Sequence, residues 1–341
     1  MSQLALLSCA STVTPRIEIE GGALLEERNI QRSIALEQNV KDNSRIQDVS
    51  FPLLEAAVPF CEASVVRSIG ADVATGYDFE ESFQRPAREV LGLSVAVSVL
   101  HVVKDGPAAQ AGLQAGDVIL TVNKNGLITG ANATGVFHNL LQEELIVSEV
   151  VELTVQRGEE SLDLLISAVD VCSYQVSLIA SSELNAYADG DAVYVSRAML
   201  RFTDSDKELA LVIAHELAHN IMDHIDKRQQ NSWVGGILDL AANLQGFDTD
   251  GFFGDLTAKA YSRAFEAEAD YVGMYILART GMDLDGASYF WRRMAVESPA
   301  SIDSHTTSHP ATAERFLALE QAVTEIIRKK ESGVPLNPEL K

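Results

Sequence analysis

The chain has 341 residues, 47% hydrophobic and 22% charged, which is typical of a globular protein with two or three domains. Its 49 acidic residues outnumber the 26 basic ones, and the formal net charge is −23. A surface this negative repels phosphate backbones and anionic headgroups, so nucleic acid is not an expected partner. The sequence lacks any run of about 18 apolar residues, so no segment is expected to span a bilayer.

The cysteines bear on the location of the protein. Cys9, Cys61 and Cys172 form no CxxC pair, which excludes a zinc knuckle. Leu6-Leu7-Ser8-Cys9 resembles the lipobox of bacterial lipoproteins, although no basic residue precedes Cys9. Cys9 is therefore either lipidated behind a start that lies further upstream or an ordinary thiol. Lipidation would imply the bacterial periplasm, membrane contact only through the lipid anchor, and a candidate Cys61–Cys172 disulfide.

Residues 1–22 are interpreted as a signal remnant and tether, because residues 10–21 are mostly polar, contain Pro15 and end at two glycines. Residues 23–87 are predicted to be a helical N-terminal segment. The pattern favours one helix over 23–42, a second over 45–70, and a connection over 71–88.

A strand-like alternation of apolar and small residues begins at Leu93. The string GPAAQAGLQAGDVI follows at Gly106–Ile119, with proline at the start of a short helix and glycine after its end. This string resembles the middle of a bacterial PDZ domain. The resemblance covers residues 88–168, and the domain is predicted to span 88–170.

The PDZ resemblance implies that peptides bind by adding a strand to an open sheet edge. The loop that captures a C-terminal carboxylate would comprise Leu91, Gly92, Leu93 and Ser94. The alternative is a PDZ-like module that only packs against its neighbour or gates it, because fold does not fix function.

The remaining chain, 171–341, reads as a second domain. Strands are predicted at Val176–Ile179 and Ala192–Val195, and helices at 205–226, 259–280 and 310–330.

The pentapeptide His215-Glu216-Leu217-Ala218-His219 carries the strongest chemical signal. Histidines four residues apart lie on one helix face, so both imidazoles can reach one metal ion. A capping box, Ser205-Asp206-Lys207-Glu208, starts the required helix. Zinc suits such a site, and one Zn²⁺ per chain is expected. Glu216 lies about 100° around the helix from His215, so it can serve as general base without being a ligand.

A catalytic zinc needs a third protein ligand, for which Glu266, Glu268 and Asp270 compete. Glu266 and Asp270 share a helix face, whereas Glu268 lies about 200° from Glu266. We predict Glu266 as the ligand, Asp270 as acceptor of a ligand histidine N–H, and Glu268 facing solvent. His224 lies about 140° from His219 on the same helix and is predicted to point away from the metal.

Together these motifs resemble peptidase family M48, which includes HtpX-like and CAAX-prenyl-protease-like metallopeptidases. The resemblance covers residues 175–330 and rests on the strings HELAHN from His215, SRxxExEAD from Ser262, SHP from Ser308 with Arg315, and LNAYADG from Leu184. It implies an α+β fold, in which a mainly helical gluzincin domain with a small sheet follows a PDZ-like β-sandwich or barrel.

The resemblance also implies roles that spacing does not assign. The substrate-binding edge strand would comprise Asn185, Ala186, Tyr187 and Ala188. Arg263 would support the metal site from outside the ligand set. His309 would approach the metal or polarise the substrate carbonyl, and its alternative role is a helix N-cap before Pro310.

The resulting hypothesis is a zinc-dependent endopeptidase of the soluble, periplasmic branch of the family. It would cleave unfolded or misassembled cell-envelope polypeptides through a zinc-bound water, with Glu216 as the base. The alternative is a non-enzymatic PDZ adaptor or chaperone-like quality-control protein with a latent peptidase fold. The intact set of candidate ligands favours the enzyme.

Overall fold

The computed structural model describes Thr14 and residues 17–61, 64–227, 252–297 and 313–339, without side chains at 252–262. Cys9, His309 and residues 228–251 lie outside these ranges. Within them, no helix combines the length and the hydropathy needed to cross a membrane. The fold is α+β, as predicted.

Helix α1 runs without interruption over Gly21–Ala56, so the two predicted N-terminal helices are one. Its first half is mostly exposed, whereas Ile46, Val49 and Leu53 in its second half enter the largest hydrophobic core. The long helix is therefore held in place by the packing of its C-terminal half.

The helix predicted over 45–70 is wrong beyond Ala56, and the connection predicted over 71–88 is wrong as well. This stretch contains a 3₁₀ turn (Val58–Phe60), strands β1 (Val65–Ser68) and β2 (Ala71–Ala74), and helix α2 (Glu81–Val90). The partner of β1 is β8 (Val169–Cys172), about 100 residues further along the chain. A pattern read over a short window cannot detect such a distant partner.

The sheet of the PDZ-like domain has six strands, in the order β2-β3-β4-β6-β7 with β5 beside β4. Its further elements are β3 (Ser98–Val102), α3 (Pro107–Gln110), β4 (Val118–Val122), β5 (Asn125–Gly126), α4 (Ala133–Val147), β6 (Val150–Arg157) and β7 (Glu160–Ser167). The predicted proline start of α3 is confirmed. Phe137, Leu141 and Leu145 of α4 pack against the sheet, and β2 lies at its edge.

The second domain has a three-stranded sheet in the order β10-β11-β9, with helices packed against it. Its elements are β9 (Gln175–Ile179), β10 (Ala186–Ala188), β11 (Ala192–Ser196), α5 (Arg197–Phe202), α6 (Asp206–Ile221), α7 (Phe252–Arg279), α8 (Ala287–Glu297) and α9 (Ala313–Glu331). The two predicted strands are confirmed. The first predicted helix ends earlier, at Ile221, and α8 has no counterpart among the predicted helices.

Helix α1 contacts both domains. Its Asp48 accepts a hydrogen bond from the backbone N–H of Lys104 near the end of β3, over 2.9 Å. Its Arg45 pairs with Asp206 at the start of α6, over 2.9 Å. A disulfide between Cys61 and Cys172, whose Cα atoms are 5.8 Å apart, joins the turn after α1 to β8.

Candidate active site

The N-terminus of α6 is capped by its own side chains. The Ser205 hydroxyl accepts from the Glu208 N–H over 3.3 Å, and the Glu208 carboxylate accepts from the Asp204 N–H over 2.7 Å. Every residue from Leu209 to Asn220 is buried. The polar side chains on this helix therefore need partners inside the protein.

Three side chains converge where α6 crosses α7. Nε2 of His219 lies 3.2 Å from Nε2 of His215 and 3.3 Å from Oε1 of Glu266. Nε2 of His215 lies 3.5 Å from Oε2 of Glu266. All three residues are buried, and they form the one metal-ligand group found among the described residues.

The close approach of the two helices depends on Gly273. A Cβ atom at Gly273 would lie 3.1 Å from the carbonyl oxygen of Ala214 and 3.2 Å from the backbone nitrogen of His215. A larger residue there would separate the helices and move Glu266 away from the histidines.

The donor set fits zinc. In a tetrahedral site with zinc–ligand distances of about 2.0–2.1 Å, two ligand atoms are about 3.3–3.4 Å apart. The two histidine nitrogens are 3.2 Å apart, and the Glu266 oxygen nearest to each of them lies at 3.3 Å from His219 and 3.5 Å from His215, close to that spacing. Two imidazoles and one carboxylate are also a ligand combination that suits zinc, whereas calcium and magnesium prefer oxygen atoms alone.

Asp270 and Arg315 surround the far side of His215. Oδ1 of Asp270 lies 2.9 Å from Nδ1 of His215. The Arg315 guanidinium donates to both Asp270 oxygens, over 2.7 and 2.8 Å, and lies 3.2 Å from Oε2 of Glu266. Arg315 therefore fixes a proposed ligand and the partner of another ligand at the same time.

The pKa values at this cluster follow from burial and charge. Burial would raise the pKa of Asp270, but Arg315 and His215 hold it below its ordinary value. Burial lowers the pKa of His215, yet Asp270 and Glu266 raise it to about 10. Burial likewise lowers the pKa of Arg315, but three carboxylates, those of Asp270, Glu266 and Glu216, raise it. Glu216 is thus close enough to the cluster to interact with its charges, and its side chain is buried.

His224 is not one of the candidate ligands, but it lies against His219 on the opposite side of that ring, a contact that the prediction did not include. Helix α6 ends at Ile221, and Asp223 adopts a left-handed conformation with φ of 52° that turns the chain back. Nδ1 of His224 lies 2.9 Å from Nδ1 of His219. The rotation expected for a continuous helix does not apply beyond its last residue.

Glu268 does not simply face solvent, although its side chain is 41% exposed. Its Oε2 lies 2.8 Å from Nε2 of His224. Burial lowers the pKa of His224, and the Glu268 carboxylate opposes this effect.

The family resemblance assigned Arg263 and His309 to support the site, and of these the structure describes Arg263. Arg263 is exposed on α7, and the cation that contacts Asp270 is Arg315 instead. The sequence signal for Arg315 is its place in the family motif that begins with the SHP string. His309 lies outside the described residues.

Strand β10 is the exposed edge of the small sheet. The Asn185 carbonyl accepts from the Ser196 N–H over 3.0 Å, and the Asp189 N–H donates to the Ala192 carbonyl over 3.2 Å. Because such bonds alternate along an antiparallel pair, the backbone groups of Ala186 and Ala188 face away from β11. Among the described strands, none pairs with this outer edge.

The side chains of β10 alternate between the two faces of the sheet. Ala186 is buried, whereas the Tyr187 ring is 40% exposed and stacks on Tyr194 with centroids 5.0 Å apart. The outer edge thus presents backbone groups flanked by a small residue on one face and an aromatic ring on the other.

The predicted carboxylate loop, Leu91 to Ser94, is not an open edge. Leu93 is buried against Leu36 and Ala87, and its N–H donates to the Ala87 carbonyl over 3.2 Å. The Ser94 carbonyl accepts from the Gly76 N–H over 2.7 Å. Gly92, with φ of 66°, has open space beside it, and Ser94 is also exposed.

Strand β2 is one edge of the PDZ-like sheet and pairs only with β3 among the described strands, whereas β7 is the other edge. Gly70, with φ of 69°, precedes it. Helix α4 lies alongside, because Arg67 donates to the Leu145 carbonyl over 2.8 Å and Thr134 donates to Asp78 over 2.6 Å. The space between β2 and α4, called the β2 groove below, is therefore a candidate peptide site.

Known proteins match both halves of this arrangement. Residues 157–323 match the model of peptidase family M48, and residues 68–167 match a PDZ domain model. The half of the chain that carries the candidate site is therefore similar to family M48 peptidases. The M48 range contains the two histidines, Glu266 and Arg315, and the PDZ range begins at Ser68, so it includes β2.

Several named proteins are similar to part of this chain. The mitochondrial metalloendopeptidase OMA1 of Schizosaccharomyces pombe is 27% identical over 179 residues, which are 49% of this chain and 52% of that protein. The beta-barrel assembly-enhancing protease of Yersinia pestis is 29% identical over 138 residues, 36% of this chain and 28% of that protein. The chain thus spans about half or less of these curated relatives.

One solved structure resembles the PDZ-like part of this chain. It is the crystal structure of the HtrA3 PDZ domain bound to a phage-derived ligand. It is 25% identical and covers 31% of this chain and 88% of that chain, with a TM-score of 0.23.

Proposed function

We propose that this protein is a zinc-dependent endopeptidase with one Zn²⁺ per chain, held by His215, His219 and Glu266. The observation that carries the proposal is the buried group of these three residues, in which one ligand atom from each lies within 4.8 Å of the others. The match to the peptidase family M48 model and the similarity to a protein named metalloendopeptidase support it.

The protein's own residues set up the hydrolysis. Zinc, when bound, supplies a Lewis acid that activates water near neutral pH and polarises the scissile carbonyl. The Glu216 carboxylate accepts a proton from the attacking water and returns it to the leaving amine nitrogen. Asp270 holds a proton on Nδ1 of His215, which leaves Nε2 of that ring free for the metal.

The substrate lies extended along β10 in this proposal. The outward backbone groups of Ala186 and Ala188 would pair with it, and Asn185 and Tyr187 would flank the pairing strand. Main-chain hydrogen bonds place few demands on the substrate's side chains. The site is therefore suited to polypeptides that are already unfolded.

The PDZ-like domain delivers the substrate. The groove between β2 and α4 would take a C-terminal segment as an added strand, and the Leu91–Ser94 loop is the alternative location. We propose unfolded or misassembled cell-envelope proteins as substrates, which is consistent with the Yersinia relative's name.

We propose the bacterial periplasm as the location, with Cys9 as the lipid anchor. The Cys61–Cys172 disulfide supports an oxidising compartment. Arg263 and His309 remain candidates for supporting roles during binding or hydrolysis.

The competing function is a non-enzymatic PDZ adaptor, and a direct assay separates the two. The purified chain would be analysed for zinc and incubated with unfolded casein, beside Glu216→Gln as the matched control. Zinc together with cleavage by wild-type protein alone supports the enzyme. Equal absence of cleavage in both proteins, with peptide binding retained, supports the adaptor.

A further inference from the structure

The second ligand histidine has an unusual partner. We propose that His224 and Glu268 form a hydrogen-bonded relay that holds His219 in its metal-binding orientation. His224 is then a positioning residue, which acts on zinc affinity through His219. The inference rests on the proposed zinc site and adds the device that orients one of its ligands.

The geometry places three groups in series. Nδ1 of His219 lies 2.9 Å from Nδ1 of His224, and Nε2 of His224 lies 2.8 Å from Oε2 of Glu268. Both distances are those of good hydrogen bonds. His224 is buried, so a wrong hydrogen-bond arrangement there would be costly.

One arrangement of protons satisfies all three groups. His219 offers Nε2 to the metal cluster, so its proton sits on Nδ1 and is donated to Nδ1 of His224. The His224 ring then carries its proton on Nε2 and donates it to the Glu268 carboxylate. Each link fixes the direction of the next, and rotation of the His219 ring would break its hydrogen bond to His224.

The two ligand histidines are supported differently. Nδ1 of His215 faces the buried carboxylate of Asp270, which Arg315 pairs with directly. Nδ1 of His219 faces another imidazole, and the carboxylate is one step further away, at a half-exposed position. Partners of this kind typically change metal affinity by about 10- to 100-fold when they are removed.

The local structure is built to present His224. The left-handed turn at Asp223 brings the chain back beneath the end of α6. The His224 ring then stacks on Phe265, with centroids 4.4 Å apart and planes 18° from parallel. This stacking offers a competing explanation, in which His224 serves only to fill space.

Two substitutions separate hydrogen bonding from packing. His224→Phe keeps a ring that can stack on Phe265 but has no nitrogen. His224→Asn loses the ring but keeps an acceptor oxygen near the position of Nδ1. The relay predicts weaker zinc binding in His224→Phe than in His224→Asn, and a packing role predicts the reverse order.

The experiment measures zinc dissociation constants of the full chain by competition with a chromophoric chelator. His224→Phe should bind zinc about 10- to 100-fold more weakly than wild type. Glu268→Ala should weaken zinc binding by a smaller factor. Combining Glu268→Ala with His224→Phe should weaken zinc binding little further, because the relay is already broken. Glu143→Ala, at an exposed position of α4, is the matched control. Melting temperatures of the metal-free variants show whether each one is folded.

The outcomes are distinct. His224→Phe with wild-type affinity, or with affinity equal to or higher than that of His224→Asn, overturns the relay while leaving the zinc site in place. A folded wild-type protein that binds no zinc overturns the proposed function itself. The order wild type, His224→Asn, His224→Phe, from tightest to weakest, supports the relay.

Discussion

Asn220 ties the β10–β11 hairpin to the end of the metal-binding helix. Its Oδ1 accepts from the Gly190 N–H over 2.8 Å, and its Nδ2 donates to the Ala192 carbonyl over 3.0 Å. Asn220 directly follows His219 and is 1% exposed. One buried amide therefore sets the proposed substrate strand relative to the metal.

Replacing this amide should uncouple substrate binding from metal binding. Asn220→Leu leaves the Gly190 N–H without its partner and removes one of the two donors to the Ala192 carbonyl, which costs about 1–3 kcal/mol of stability. We expect the zinc content to stay at one per chain while KM for a peptide rises. Zinc analysis and steady-state kinetics check this, with Asn139→Leu, at an exposed position of α4, as control. An unchanged KM in a folded variant would show that the hairpin is held by other contacts.

The ligand assignment predicts which side chains are indispensable for zinc. His215→Ala, His219→Ala and Glu266→Ala should each lose the metal, because two remaining ligands hold zinc poorly. Glu268→Ala should still bind one zinc per chain when the metal is saturating. Metal analysis after dialysis decides this. Full retention in Glu266→Ala together with loss in Glu268→Ala would contradict the assignment.

The general-base role predicts a separate phenotype for Glu216. Glu216→Gln keeps size and zinc but cannot accept the proton, so peptide hydrolysis should fall by about 10²–10⁴-fold. The measurement is the initial rate on unfolded casein with zinc content determined in parallel. The variant should also retain uncut substrates, which co-purification would identify. Wild-type turnover in Glu216→Gln would assign the base to another residue.

The disulfide and the lipobox-like string predict the state of the native protein. Cys61 and Cys172 should be bonded and Cys9 lipidated, as mass spectrometry of freshly extracted protein can determine. The bridge spans 111 residues, and replacing both cysteines with serine should cost about 2–5 kcal/mol of unfolding free energy. Two free thiols in native material would remove the disulfide. An unmodified N-terminus that keeps Met1 would remove the lipid anchor.

Two substitutions distinguish the candidate peptide sites of the PDZ-like domain. His138 is exposed on α4, one turn from Thr134, so His138→Glu places a negative charge beside the β2 groove. It should slow cleavage of long unfolded substrates and leave a short peptide nearly unaffected, because tethering helps only substrates that reach both domains.

Gly92→Glu is the comparison for this test, because it adds the same charge at the Leu91–Ser94 loop. If β2 is the binding edge, a folded Gly92→Glu variant should cleave both the long and the short substrate at nearly the wild-type rate. Selective slowing by Gly92→Glu and none by His138→Glu would return the binding site to the Leu91–Ser94 loop. Equal slowing of long and short substrates would indicate a structural role for the domain.

The sequence by itself determined what a single element fixes. His219 is four positions after His215, and Asp270 is four positions after Glu266. The helical repeat alone therefore places each pair on one face. The proline and glycines of the Gly106–Ile119 string likewise set α3 and its turn through local backbone preferences.

Only the tertiary structure decided what depends on where elements end and meet. His224 reaches His219 because α6 stops at Ile221, and Arg315 reaches Asp270 from a helix 45 residues further along. Strand β2 is an edge of the PDZ-like sheet because the other side of β3 is taken by β4. Such contacts arise from the packing of segments that are distant in sequence. The local periodicity of the chain therefore does not predict them.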